Sequence, residues 1–105
     1  MPMPEQSYDY AARKRTAERL ARAVDFGPAL ATGDTVASQS VTATDAQGVD
    51  VSSSLILSPS HAGTQVAWTW APWGTPGEHY FTRVQATTTN GEVLVCVIRL
   101  TIGGA

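Results

Sequence analysis

At 105 residues the chain is one domain by size, and 43% apolar with 15% charged residues fits a packed core rather than a disordered polymer. The single cysteine, Cys96, excludes an intrachain disulfide, and no apolar run approaches membrane-spanning length. A disulfide-stapled secreted scaffold and a helical membrane protein are therefore both excluded. The opening MPMPEQSYDY lacks the apolar core of a signal peptide, so folding in the cytoplasm is expected. Charge is unevenly placed. Five of the seven basic residues (Arg13, Lys14, Arg15, Arg19 and Arg22) lie in the first 22 positions, against Glu5, Asp9 and Glu18. Beyond them, Arg83 and Arg99 face Asp25, Asp34, Asp45, Asp50, Glu78 and Glu92. A basic lead and an acidic body predict that the lead docks on an acidic protein surface, such as that of a neighbouring copy.

Residues 1–7 are Pro-rich and polar, and order is expected there only on binding. From Tyr8 to Val24 the apolar residues Ala17, Leu20, Ala21 and Val24 fall at i, i+3, i+4 and i+7, the stripe of a short amphipathic helix. Such a helix is too short and alanine-rich to stand alone, so residues 1–24 read as a basic arm, helical or extended, that needs a partner surface. Gly27-Pro28 ends any helix.

The rest, 25–105, reads as strands and turns. Val36 and Val41 mark an extended stretch over Asp34–Ala43, and Ala46-Gln47-Gly48 is a turn. A second stretch runs from Val49 to Leu57 and stops at Ser58-Pro59. Gln65–Ala71 alternates most clearly, with Val66, Trp68 and Trp70 on one face. Trp73-Gly74-Thr75-Pro76-Gly77 is a tight corner. His79–Thr88 and Glu92–Ile102 flank Asn90-Gly91, which predicts a hairpin closed by a two-residue turn. Six or seven strands at this spacing predict a mainly β protein, an immunoglobulin-like antiparallel sandwich. In that fold Tyr80 opens the penultimate strand, and its hydroxyl bonds backbone at the corner.

Chemistry-bearing residues form no site. His61, His79 and Cys96 lack zinc-ligand spacing, and Cys96 inside the apolar run Val93–Ile98 reads as a core side chain. Ser58 and Ser60 beside His61 have no nucleophile elbow or acid partner. Asp34, Asp45 and Asp50 lack the ligand spacing of a calcium loop. No catalytic residue, metal or cofactor is assigned. Trp68, Trp70 and Trp73 could form a carbohydrate platform, but alternation puts Trp68 and Trp70 in the core. Trp73, between Pro72 and Gly74, is the candidate exposed anchor. An acidic body argues against nucleic acid as the partner of the basic lead. The protein-interaction set is therefore Arg13, Lys14, Arg15, Arg19, Leu20, Arg22 and Trp73.

Asp25-Phe26, Leu30 and Gly33-Asp34-Thr35-Val36-Ala37-Ser38 are followed by Gly74-Thr75-Pro76-Gly77-Glu78-His79-Tyr80, Asn90-Gly91 and Ile98-Arg99-Leu100-Thr101-Ile102. In this order they resemble the phage fibre–tail adaptor family, whose motif Gly-x-x-Gly-x-x-Tyr is matched at 74–80. The sequence departs from the family at Leu20-Ala21-Arg22, where a Leu-Asp-Tyr is frequent, and in its more basic lead. The resemblance implies a non-enzymatic structural protein of the virion tail or neck, made in the host cytoplasm. It implies partners among other phage structural proteins, copies arranged in a ring, and no nucleic acid or membrane contact. The alternative is an immunoglobulin-like carbohydrate-binding or adhesion module of a bacterial surface protein; the missing signal peptide and single-domain extent count against it.

Overall fold

Seven strands pair into two sheets in the computed structural model, which describes residues 8–105. The strands are β1 (Tyr10–Lys14), β2 (Leu20–Asp25), β3 (Val36–Asp45), β4 (Ile56–Ala62), β5 (Gln65–Trp70), β6 (His79–Thr88) and β7 (Val93–Ile102). One sheet has the order β1-β7-β6-β3 and the other β2-β5-β4. A one-turn helix, α1 (Ser52–Leu55), leads into β4. The protein is a mainly β, two-sheet sandwich. Four of the strand pairs are antiparallel, but β1 runs parallel to β7, so the expectation of a wholly antiparallel sandwich is corrected at that edge.

The core follows from the alternation. Ile98, Leu100 and Ile102 of β7 face Val66, Trp68 and Trp70 of β5, with Val84 and Ala86 of β6 and Val41 and Ala43 of β3 filling between. Trp68 and Trp70 are buried and meet edge to face, 5.5 Å between ring centroids. The Trp70 Nε1–H donates to Thr82 Oγ1 at 3.0 Å, a buried hydrogen bond that joins the sheets. Cys96 is buried in this core, and burial raises its thiol pKa.

Of the two forms left open for the N-terminal arm, helical or extended, the described part takes the extended one. The described part of the basic lead supplies an edge strand to each sheet, joined by a turn at Thr16-Ala17. Leu20-Ala21-Arg22-Ala23-Val24 satisfies period 2 as well as period 3.6, and alanine is compatible with either. Pairing of Leu20 with Trp70, Arg22 with Trp68 and Val24 with Val66 lets Leu20 and Val24 pack on the core, and that burial decides the conformation. The expectation for residues 1–7 lies outside the described residues.

Two further expectations change. Val49–Leu57 is not one strand: Asp50 makes an isolated bridge to Thr44, α1 follows, and β4 then passes through Ser58-Pro59. The register slips between Leu57 and Ser60, and Ser58 takes φ 50°, so the proline sits at a bulge on an edge strand, where its missing N–H costs no ladder bond. The β6–β7 hairpin does turn at Asn90-Gly91, but through a three-residue loop, Thr89-Asn90-Gly91. The Thr88 N–H donates to Glu92 O at 2.8 Å, the Gly91 N–H donates to Thr88 O at 3.0 Å, and only Gly91 has positive φ, 88°. Gly91→Val should therefore cost about 1–3 kcal/mol, visible as a lower denaturation midpoint with unchanged slope.

Asp34 anchors this hairpin to the start of β3. Its Oδ1 accepts the Thr35 N–H at 2.9 Å and the Thr89 hydroxyl, and the Thr89 N–H donates to Thr35 O at 2.9 Å. The hydrogen bond from Thr89 is the main reason the Asp34 carboxyl titrates below its usual range. Tyr80 is buried at the far end of β6, where its hydroxyl oxygen accepts the Thr75 N–H at 3.0 Å, the backbone bond expected at this corner.

Candidate functional site

The two N-terminal strands lie at the open side of the sandwich, one on each sheet, and their inward faces carry cations where an interior strand would carry apolar residues. Register with Ile98, Leu100 and Ile102 turns Tyr10, Ala12 and Lys14 of β1 inward. Register with Trp70, Trp68 and Val66 turns Leu20, Arg22 and Val24 of β2 inward. An inward-pointing charge on an edge strand opposes indiscriminate sheet-to-sheet pairing, because a new strand laid there must accommodate the cation.

The two cations are held differently. Lys14 is buried, and its Nζ donates to Arg15 O at 2.7 Å, Thr16 O at 3.2 Å and Trp73 O at 3.3 Å. Burial lowers its pKa, an effect partly opposed by Glu18. Lys14 is thus a structural clamp between the β1–β2 turn and the 71–78 corner, and it leaves the exposed interaction set. The Thr16 hydroxyl reinforces the clamp by donating to Gly74 O at 2.7 Å. Arg22 is exposed, and its Nη1 donates to the neighbouring Ala21 O at 2.8 Å.

Arg13, Arg15 and Arg19 are exposed around the same turn. Among the described residues none of these arginines forms an ion pair. The turn itself is fixed: the Arg15 N–H donates to Glu18 Oε1 at 2.6 Å, and the Thr16 N–H donates to Gly104 O at 2.8 Å. The structure therefore groups Arg13, Arg15 and Arg19 as a preorganised basic projection, with Arg22 a short way along β2. Leu20 is half-buried and packs on the core. Trp73 is also half-buried and packs on the core, with its ring 5.3 Å from that of Tyr80. It is a wall of the corner and not an exposed loop-tip anchor, because the Lys14 clamp on its carbonyl draws the loop onto the domain.

Between β1 and β2 lies an open groove of about 310 Å³, with Ala12, Trp68, Trp70 and Ile98 in its lining and Tyr10, Arg22 and Asp25 along it. Sequence reasoning missed this feature. The sequence signal that could have found it is the alternation of Leu20, Arg22 and Val24 read with period 2, which places a cation on a core-facing position.

Elsewhere the acidic side chains serve local turns. Asp45 Oδ1 accepts the Gln47 and Val49 N–H groups, each at 2.9 Å, and Asp50 Oδ1 accepts the Ser52 N–H at 2.9 Å and its hydroxyl at 2.6 Å. Among the described residues no group of three or more His, Cys, Asp or Glu is placed to hold a metal ion, and no helix is long and apolar enough to cross a membrane. His61 Nδ1 is partnered with Gln39 Oε1 across the strands, so Ser58, Ser60 and His61 are edge-strand residues with no assembled acid partner. Trp68 and Trp70, being buried, present no stacking platform for a sugar.

No curated protein matches the chain. A family model described as podophage GP4 fiber-tail adaptor protein gp77 matches residues 14–101, a span that runs from the Lys14 clamp to the penultimate residue of β7. The chain belongs to this phage fiber-tail adaptor family, and its role is a structural one in the phage particle.

Proposed function

We propose that this chain is a non-enzymatic adaptor in the tail or neck of the virion, where it links tail and fibres through protein–protein contacts between several copies and their neighbours. Synthesis in the host cytoplasm and incorporation into a ring of copies belong to the same reading, as does kinship of the sandwich with immunoglobulin-like domains. The observation that carries it is the set of exposed arginines, Arg13, Arg15, Arg19 and Arg22, on a rigid turn and edge strand with no ion pair among the described residues. A surface with four cations unpaired among the described residues is complementary to an acidic partner surface. The rest of this chain, with six carboxylates against Arg83 and Arg99, has that character.

The test is triple charge reversal, Arg13→Glu, Arg15→Glu and Arg19→Glu, leaving the Lys14 clamp intact. The variant should melt within a few degrees of the parent, because exposed unpaired charges contribute little to folding. It should incorporate into particles, or bind the adjoining tail proteins, at least tenfold more weakly, and the parent's binding should weaken as salt rises. Incorporation equal to the parent's at low and high salt would remove the basic projection from the interface.

A further inference from the structure

The groove between β1 and β2 is unfinished in a specific way. Its lining includes Trp68, which is buried and whose Nε1–H has no hydrogen-bond partner among the described residues. Along the groove stands Arg22, without a carboxylate partner among the described residues. The wall is low on the β1 side because Ala12 stands on the inward face there. The site therefore calls for a narrow, extended occupant with modest apolar side chains and one carboxylate.

One segment of this chain outside the described residues has that chemistry. Residues 1–7 read Met-Pro-Met-Pro-Glu-Gln-Ser. Pro2 and Pro4 favour an extended backbone whose carbonyls are not used internally, the form that aromatic-lined grooves accept. Met1 and Met3 supply adaptable apolar side chains. Glu5 supplies the carboxylate. Seven residues reach about 23–25 Å when extended, and the described chain begins two residues before Tyr10, itself at the groove, so a segment leaving one copy starts beside such a site.

We infer that the β1–β2 groove receives residues 1–7 of a second copy, with Glu5 against Arg22, so that successive copies are tied together by exchanged N-terminal segments. This rests on the adaptor reading above and adds to it the surface and the segment through which copies join.

The test uses full-length chains with single reversals, Glu5→Arg and Arg22→Glu, each followed by sedimentation and by a thermal melt. Arg22 is exposed and Glu5 precedes the first strand of the sandwich, so both variants should fold. Each alone places like charges together and should associate about tenfold more weakly than the parent. In an equal mixture, the reversed segment of one variant meets the reversed groove of the other, and the unaltered segment meets the unaltered groove. Both encounters pair opposite charges, so the mixture should regain the parent's association. A mixture as weak as its components, with a double variant Glu5→Arg/Arg22→Glu that behaves as the parent, would place the segment in its own groove and overturn the exchange. A parent chain that stays monomeric at every concentration, or a Glu5→Arg variant that associates like the parent, would overturn it too. In either case the adaptor reading would still be judged separately, by the triple reversal on the turn.

Discussion

Removal of residues 1–22 is expected to abolish the cooperative fold, although composition alone would class them as a dispensable basic lead. The deletion takes away all of β1 and Leu20, Ala21 and Arg22 of β2. It uncovers Ile98, Leu100 and Ile102 on one sheet and Trp68 and Trp70 on the other, all of them buried core side chains. At about 25 cal/mol per Å² of apolar surface, exposing even a few hundred Å² in all costs several kcal/mol. That is comparable with the whole stability of a domain this size, about 5–15 kcal/mol. The Lys14 and Thr16 bonds to the 73–74 backbone vanish as well, which frees the corner beside Tyr80. The truncated chain should be largely insoluble or lack a sigmoidal melt by circular dichroism. A soluble truncated protein melting where the full chain does would mean that β1 and β2 are peripheral to the sandwich.

Trp70 should be the most sensitive single position. It is 1% exposed, packs edge to face on Trp68, and carries the hydrogen bond to Thr82 that joins the two sheets inside the core. Trp70→Ala removes a large side chain that its neighbours cannot replace, at about 3–5 kcal/mol. Thr82→Val keeps the shape but leaves the indole N–H without an acceptor, at about 1–3 kcal/mol. The double variant Trp70→Phe/Thr82→Val should recover part of that loss, since neither half of the bond then remains. Denaturant titration of the parent, Trp70→Phe, Thr82→Val and the double variant checks this. Additive losses for the two single changes would show that the inter-sheet bond contributes nothing beyond packing.

The exposed arginines and the buried Lys14 illustrate how one segment carries two jobs. Lys14 holds the β1–β2 turn against the corner, and the turn in turn presents Arg13, Arg15 and Arg19 on a fixed frame. Preorganisation of this kind lowers the ordering cost of binding, so charge reversal at the turn and loss of the Lys14 clamp should weaken docking for different reasons.

Much of this protein was legible from local pattern. Val66, Trp68 and Trp70 alternate over a short run, which leaves only one face for the core, and the turn residues 73–77 ahead of Tyr80 marked the corner where its hydroxyl meets the backbone. The Asn90-Gly91 turn was equally local, because only glycine takes φ 88° without cost, although the third loop residue depended on how Thr88 and Glu92 paired. Tertiary structure decided the N-terminal strands. Alanine favours helix in isolation, and only Leu20 and Val24 fit both periods, so the strand was decided when β5 offered Trp70 and Val66 to pack against. It also decided which cation is structural. Lys14 and Arg22 are alike in sequence as inward-facing basic residues, yet Lys14 meets three backbone carbonyls from two loops, whereas Arg22 meets an open groove. Contacts between residues 14 and 73, separated by most of the fold, are not encoded in any local run, and they set which charges remain free for a partner.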